Sequence, residues 1–241
     1  MKKNNKSVLI VITSIILSSV LIFSGCSKKN DASVSKKTSE NSDAKVKIGI
    51  AKILQHDALD AVEQGIIDAV KDAGISASYD LQNANGDANT ASQIAGQFRD
   101  EKVDVAVGIA TPVALALANT IKTTPVVFAT VTDPLGAGLV STVEHGENNV
   151  TGMSDELPSK EHIRLFKEIA GIKTLGYIYT ASEDNSISSL ELVRAACKEN
   201  GISLVEQSIS NSSEVRQASQ TIVDRVDGIY LTTEIGRASC R

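Results

Sequence analysis

The sequence predicts an α/β protein built of two doubly wound lobes, and two observations carry this prediction. Short β-prone runs alternate with amphipathic helical segments from Val46 to Leu231. The alternation pauses once, in a stretch rich in glycine and polar residues between 136 and 152, and then restarts. Strands that alternate with helices form parallel sheets covered by helices on both faces. We therefore expect two such lobes, over residues 45–155 and 156–233.

The first lobe contains four predicted strands and three predicted helices. The strands are Val46–Ala51, Ile75–Leu81, Val103–Ile109 and Pro125–Ala129. The first helix follows from apolar residues at steps of three and four after Asp57, the expected N-cap, with Gly74 as its stop. A second helix is expected over 87–101, and Thr111 with Pro112 at the first turn opens a third.

The second lobe repeats the same rhythm from residue 159 onward. Helices are predicted over 159–170, 185–199 and 212–225, and strands over 174–179, 203–207 and 228–231. The likeness between the lobes is one of architecture, because the sequences of the two halves show no convincing internal repeat.

The first 25 residues have the pattern of an export signal. Basic residues at the start precede an apolar run from Val8 to Phe23, and the small pair Ser24-Gly25 stands before Cys26. The run is shorter than the roughly 20 residues that span a bilayer as a helix. Residues 26–44 are polar and are expected to form a flexible tether.

The last eight residues, 234–241, read EIGRASCR. This octapeptide resembles the translation of a common DNA-sequencing adapter, so we expect it to be non-native and exclude it from the fold. On that interpretation the natural protein continues past Thr233, and the second lobe is incomplete here.

Composition and motifs argue against several classes of function. The chain has 24 basic and 29 acidic residues, a net charge of −5, so nucleic acid is not an expected partner. His145 and His162 lack partners at metal-ligand spacing, and no HExxH or CxxC motif occurs, so no metal is expected. No phosphate-binding glycine motif or GxSxG elbow appears, so neither a cofactor nor an enzyme is expected. Cys197 is interpreted as a structural thiol.

Open parallel sheets bind ligands beyond the carboxyl ends of their strands, and those ends are polar here. Thr111 and the pair Asn185-Ser186 also lie at predicted helix N-termini, which favour anions. His56 beside Asp57 allows an acid–base pair, although a surface histidine next to a capping aspartate is the commoner arrangement. Asp133-Pro134 is either a turn or a ligand contact.

Several motifs occur in order along the chain. They include IGIAKILQHDALDAVEQGIIDAV, VGIATPVALALAN, PVVFATVTDPLGAGLV, NVTGMSD and IYTASEDNSISSLE. With this set, residues 45–233 resemble the ABC-transporter substrate-binding lipoproteins of the tryptophan/tyrosine type. Phe23-Ser24-Gly25-Cys26 resembles a bacterial lipobox, with Phe in place of the usual Leu.

The resemblance implies a type I periplasmic-binding-protein fold that closes on one small solute, often an aromatic amino acid. It further implies delivery to an ABC permease driven by an ATPase, and a lipid anchor on Cys26 that holds the protein at the extracytoplasmic face of the cell membrane. Residues matching the family's cleft motifs are Gln55, His56, Ala110, Thr111, Pro112, Thr132, Asp133, Glu183, Asn185 and Ser186.

One binding hypothesis follows for an amino acid. Its carboxylate docks at Thr111, assisted by Asn185 and Ser186, while Asp133 or Glu183 takes the ammonium. Two alternatives stay open: an exported α/β enzyme that uses His56 and Asp133, and a ligand sensor that does not transport.

Overall fold

The computed structural model describes residues 45–144 and 148–233. The signal, the tether, Cys26, His145 and the tail 234–241 lie outside these ranges. Within them, no helix is long and apolar enough to cross a membrane.

The first lobe is a parallel five-stranded sheet in the order β2-β1-β3-β4-β5. Its strands are β1 (Val46–Lys52), β2 (Ala77–Asn83), β3 (Val105–Ile109), β4 (Val126–Val131) and β5 (Val150–Ser154). Its helices are α1 (Asp57–Asp72), α2 (Ala88–Asp100) and α3 (Thr111–Thr120). Helices α2 and α3 pack against each other.

The second lobe is a parallel three-stranded sheet in the order β7-β6-β8. Its strands are β6 (Thr174–Thr180), β7 (Ser203–Ile209) and β8 (Gly228–Tyr230). Its helices are α4 (Ser159–Ala170), α5 (Asp184–Asn200) and α6 (Val215–Ile222), and short 3-10 turns flank α6. Helices α4 and α5 pack together, while α6 packs on β6 and β7.

The predicted fold class is confirmed, and two local predictions are wrong. The sequence predicts a loop where β5 lies; four of the five residues of β5 are exposed, so no alternation of apolar and polar residues marks it. The N-cap of α1 is His56 and not Asp57, because the His56 Nδ1 accepts the N–H of Ala58 at 3.2 Å.

Each lobe has its own hydrophobic interior. The first sheet and its helices share one core, with Ile50, Phe98 and Ile109 fully buried. The second sheet has one cluster that includes Tyr177 and Leu190, and another that includes Ile222. No cluster of the described residues includes side chains from both lobes.

In each lobe, an aspartate just before one strand binds the backbone at the start of the neighbouring strand. Asp104, just before β3, accepts the N–H of Lys47 at 2.7 Å and donates its own N–H to the Lys47 carbonyl at 2.8 Å. Asp227, just before β8, accepts the N–H groups of Lys173 and Thr174, both at 2.8 Å. The two lobes therefore share a detail that their sequences do not display as a repeat.

Candidate functional site

The carboxyl ends of strands from both sheets border one cavity of about 330 Å³. The volume falls in the range of small-molecule sites. First-lobe residues on its wall are Ile53, Leu54, Gly86, Asp87, Ala88, Ala110 and Pro112. Second-lobe residues are Thr180, Ser182, Glu183, Asn185, Ser210, Asn211 and Ser212. We call this cavity the cleft.

The first-lobe wall lies at the switch point of the sheet. Strands β1 and β3 are neighbours, and the chain leaves them toward opposite sides, to β2 and to β4. Loops diverge at such a point and leave a crevice beyond the strand ends. Here the apolar Ile53 and Leu54 follow β1, and Ala110 and Pro112 follow β3.

Ala110 occupies a strained backbone conformation on this wall. Its φ is 81° and its ψ is 154°, a region that glycine normally occupies. Its N–H is bonded to the Ala129 carbonyl at 3.0 Å, which holds the junction of β3 and α3 against β4. Thr130, near the end of β4, also has a positive φ of 52°. Such strain clusters at functional sites.

Asn185 stands on the opposite wall, in the first turn of α5. Its side chain is 4% exposed, and its Oδ1 is buried without a hydrogen-bond partner among the described residues. An unpaired buried amide oxygen is costly. Asn185 borders both the cleft and a second cavity, so this unpaired group lies where the two lobes meet.

The second cavity, of about 230 Å³, adjoins the first through shared residues. Pro112, Glu183 and Asn185 line both of them. Thr111 lines only the second, and it is 2% exposed. Two predicted helix starts, Thr111 of α3 and Asn185 of α5, are therefore brought together.

Thr132 and Asp133 border a third cavity, with Glu156, Ser188, Glu191 and Leu192. The Asp133 Oδ1 accepts the N–H of Gly136 at 2.7 Å, which is the geometry of the turn that the sequence allowed. The structure thus places these two residues between the lobes, in a cavity that Ala110 does not line.

Three predicted site residues serve the protein's own backbone or solvent. His56 caps α1, and Gln55 is exposed; neither lines any of these three cavities. The buried Ser186 hydroxyl accepts the N–H of Thr180 at 2.8 Å, so it fixes the end of β6.

Sequence reasoning missed the loops after β2 and β7. Gly86 and Asp87 follow β2, and the polar run 210–212 follows β7; both line the cleft. The rule that found the other loops applies to these strands as well, so their polar ends were the available signal.

Charge on the cleft wall is acidic among the described residues. Asp87 accepts the N–H and the hydroxyl of Thr90 at 2.6 and 2.8 Å, and these bonds lower its pKa. Lys52, next to Ile53, is turned to α1, where its Nζ lies 2.6 Å from Asp60 and 3.1 Å from Glu63.

The thiol of Cys197 is buried in the second-lobe core, as expected. Burial raises its pKa to about 11, so it stays protonated at neutral pH. No group of three His, Cys, Asp or Glu side chains in the described ranges could hold a metal ion.

Two doubly wound lobes that enclose one polar-lined cleft define a solute-binding receptor. The chain belongs to the family of ABC transporter substrate binding proteins, whose model matches residues 47–240. The predicted resemblance is therefore confirmed, and the fold is the type I periplasmic-binding-protein fold.

Three relatives give the scale of the similarity. A tyrosine-binding protein of Clostridioides difficile (strain R20291) is 35% identical over 232 residues, covering 92% of this chain and 67% of its own length. A Streptococcus pneumonia ABC domain in complex with L-Trp has a TM-score of 0.77 at 32% identity, covering 81% and 68% of the two chains.

The third is the ligand-free, open structure of a substrate binding protein with adhesive properties from Clostridium difficile. It has a TM-score of 0.58 at 36% identity, covering 78% of this chain and 65% of that one. The chain thus spans about two thirds of the length of these relatives.

Proposed function

We propose that this protein is the extracytoplasmic solute-binding component of an ABC importer and that it binds an amino acid with an aromatic side chain in the cleft. The observation that carries the proposal is the cavity of about 330 Å³ shared by both lobes, with the buried, unpartnered oxygen of Asn185 on its wall. A relative named for tyrosine and another solved with L-Trp support this class of solute.

The arrangement of the lobes supports a binding cycle of opening and closure. The TM-score with the L-Trp complex is 0.77, and with the ligand-free, open structure it is 0.58, although the latter has the higher identity. This contrast favours a closed arrangement for the present chain. A solute that contacts both lobes binds the closed form more tightly than the open form, so it shifts the equilibrium toward the closed form.

One part of the cleft wall is apolar and another part is polar, and this combination suits such a solute. Ile53, Leu54 and Ala110 offer an apolar wall for a side chain. Helices α3 and α5 both begin beside the cleft, and the N-terminus of a helix suits the carboxylate of the solute. Asn185 accepts from an N–H donor such as the ammonium group. This assigns Asn185 to the opposite end of the amino acid from the hypothesis drawn from sequence.

The binding test is calorimetry of the purified protein with the common amino acids one at a time. We expect L-tyrosine or L-tryptophan to release or absorb heat and Asn185→Leu to weaken the binding by about tenfold or more, the cost of one lost polar contact. Asn200→Leu, the same change at the far end of α5, is the matched control. Unchanged affinity in Asn185→Leu would contradict the assignment.

Import and anchoring need tests in cells. Uptake of the labelled amino acid should fall when the neighbouring permease and ATPase genes are deleted. Cys26→Ser should move the protein from the membrane fraction to the soluble fraction, because acyl chains on Cys26 are the proposed anchor. Uptake that survives the deletions would favour the alternative of a sensor.

The alternative of an exported enzyme has less support. It needs His56 and Asp133 as an acid–base pair, yet the first caps α1 and the second closes a turn. His56 lines none of the three described cavities that border both lobes.

A further inference from the structure

The chain contains two asparagines that are followed directly by glycine, at Asn85-Gly86 and at Asn200-Gly201. A glycine has no side chain to shield its backbone nitrogen, so that nitrogen can reach and attack the amide carbon of the preceding asparagine. The attack releases ammonia and forms a cyclic imide, which water then opens. The fold decides whether each of the two pairs reacts.

The first pair forms the exposed corner of the turn between β2 and α2. Asn85 and Gly86 have positive φ of 53° and 79°, and the Asp87 N–H is bonded to the Ala84 carbonyl at 3.0 Å, the pattern of a type I′ turn. The side chain of Asn85 is held weakly, because its Nδ2 lies 3.5 Å from the Asn83 carbonyl oxygen, beyond the range of a good hydrogen bond. This side chain is thus able to rotate toward Gly86.

One backbone hydrogen bond protects this pair. The Gly86 N–H is bonded to the Ile53 carbonyl at 2.6 Å, and the nitrogen does not attack while its proton is held there. Since the turn is exposed, the bond opens through local fluctuations and does not require the lobe to unfold. Gly86 and Ile53 both line the cleft, so this opening also moves the cleft wall.

The second pair has the same two residue types in a different setting. Asn200 is the last residue of α5, and its Nδ2 donates to the Ala196 carbonyl, one turn back, at 2.8 Å. Its backbone carbonyl accepts a hydrogen bond from Lys167, and the Gly201 N–H is bonded to the Lys198 carbonyl at 3.2 Å. The side-chain amide is therefore fixed toward the preceding turn, whereas the attack requires it beside the following nitrogen.

We propose that Asn85 is a site of spontaneous deamidation whose product weakens solute binding, and that the fold protects Asn200. The Gly86 nitrogen loses its proton to a base in the solvent and bonds to Asn85 Cγ, while Nδ2 takes up a proton and leaves as ammonia. Water then adds to either carbonyl of the imide, one C–N bond breaks and the nitrogen regains a proton. The products are aspartate and isoaspartate, whose backbone runs through the former side chain.

Both products change the wall of the cleft. Each adds a negative charge two positions before Asp87, which carries charge of the same sign. Isoaspartate also lengthens the backbone by one carbon, which separates the Gly86 N–H from the Ile53 carbonyl. The effect on binding rests on the amino-acid-binding function proposed above, whereas the reaction itself does not.

Mass spectrometry of the aged protein tests the reaction. The full chain is kept in warm, mildly alkaline buffer and digested, and both asparagines are scored by the mass gained when an amide becomes an acid. We expect conversion at Asn85 to be at least about tenfold faster than at Asn200 in the folded protein, and the two rates to agree within about threefold in guanidinium chloride. An intact Asn85, or an Asn200 that reacts as fast in the folded protein, would overturn the inference.

Calorimetry with L-tyrosine and L-tryptophan tests the effect on the cleft. The deamidated protein carries an extra negative charge, so ion exchange separates it from the intact protein. We expect its dissociation constant for the amino acid that binds to be raised by about threefold or more. Asn85→Gln, aged in the same way, is the control and should keep its affinity, because glutamine forms a larger imide ring far more slowly.

The outcomes separate this inference from the proposed function. Normal affinity of the deamidated protein, or an equal loss of affinity in aged Asn85→Gln, would overturn the effect on the cleft. Intact protein that binds neither amino acid would contradict the proposed function and the effect on binding together. The modification itself would still stand or fall by the mass-spectrometric comparison of Asn85 with Asn200.

Discussion

At the scale of single residues, the most unusual feature is the backbone of Ala110. An alanine with φ of 81° and ψ of 154° stands where glycine is normally found, and it stands on the wall of the cleft. Residues in such regions cost of order 1–3 kcal/mol and persist where the surroundings determine them. The N–H bond to Ala129 and the start of α3 provide that constraint.

Ala110→Gly should therefore stabilise the protein. Relief of strain outweighs the extra freedom of glycine in the unfolded chain, and we expect a net gain of about 1 kcal/mol in the free energy of unfolding. Urea denaturation measures it. Ala61→Gly, an exposed position inside α1, should instead lose roughly 0.5–1 kcal/mol. A loss of stability in Ala110→Gly would show that the backbone there is not strained.

Part of the candidate site could be predicted at this scale. Ala110, Pro112, Glu183 and Asn185 follow strands, which is the signal that predicts them, and all four line the cleft. Ile53 and Leu54 were missed because apolar residues beyond β1 resemble more strand. The Asp133 turn was foreseen as one of two outcomes.

At the scale of elements, close approach between β3 and α3 sets the position of the cleft wall. A methyl group added at Gly108 would lie 2.9 Å from Ala114 Cα and 3.0 Å from Ala114 N. Both are backbone atoms, so they cannot move aside as a flexible side chain would. The absence of a side chain at Gly108 lets the helix start beside the strand.

Gly108→Ala should push the first turn of α3 outward. We expect a loss of about 1–3 kcal/mol of stability, the usual cost of overpacking, together with weaker solute binding. Gly96→Ala on α2 meets no atom within 4 Å and should gain roughly 0.5–1 kcal/mol. Equal stabilities of the two variants in urea would contradict the close-packing argument.

The aspartate before β8 makes a prediction about pH. Bonds from the N–H groups of Lys173 and Thr174 lower the pKa of Asp227 from its ordinary value of 3.8. A group with a depressed pKa stabilises the fold above its unfolded value, and that contribution is lost as the pH falls through the folded value. Its effect is therefore complete at neutral pH and disappears in a window below about 3.8.

Asp227→Asn should be less stable than the parent at pH 7, and this difference should shrink as the pH is lowered through that window. Urea midpoints of both proteins along a pH series measure it. Asp224→Asn, an exposed neighbour, should follow the parent throughout. A difference that is independent of pH would contradict the assigned bonds.

Element boundaries followed from sequence where periodicity and caps were clear. Helix α4 begins and ends at the predicted residues, because its apolar positions recur regularly and Gly171 ends it. Strand β5 could not be predicted from the sequence, because it is short, mostly exposed and contains Gly152. The register shift of β4 between Phe128 and Val131, with the positive φ of Thr130, had no sequence signal either.

At the scale of the whole molecule, the two lobes have separate hydrophobic clusters. A domain with one core unfolds in one step, and molecules with separate cores depart from that behaviour. The smaller second-lobe sheet of three strands should be the first to lose its structure.

Scanning calorimetry without solute should accordingly give two overlapping transitions. A saturating solute that contacts both walls stabilises the closed form, by about 2.7 kcal/mol at a hundred times its dissociation constant, and should bring the transitions together. Asn185→Leu should keep them apart at the same solute concentration. One transition in the solute-free protein, with equal calorimetric and van't Hoff enthalpies, would contradict independent lobes.

No hydrophobic cluster of the described residues includes side chains from both lobes. A solute bound at the boundary between the lobes therefore links them. The thermal stability of the protein then depends on the concentration of its solute, because the lobes unfold separately without solute and together when solute links them.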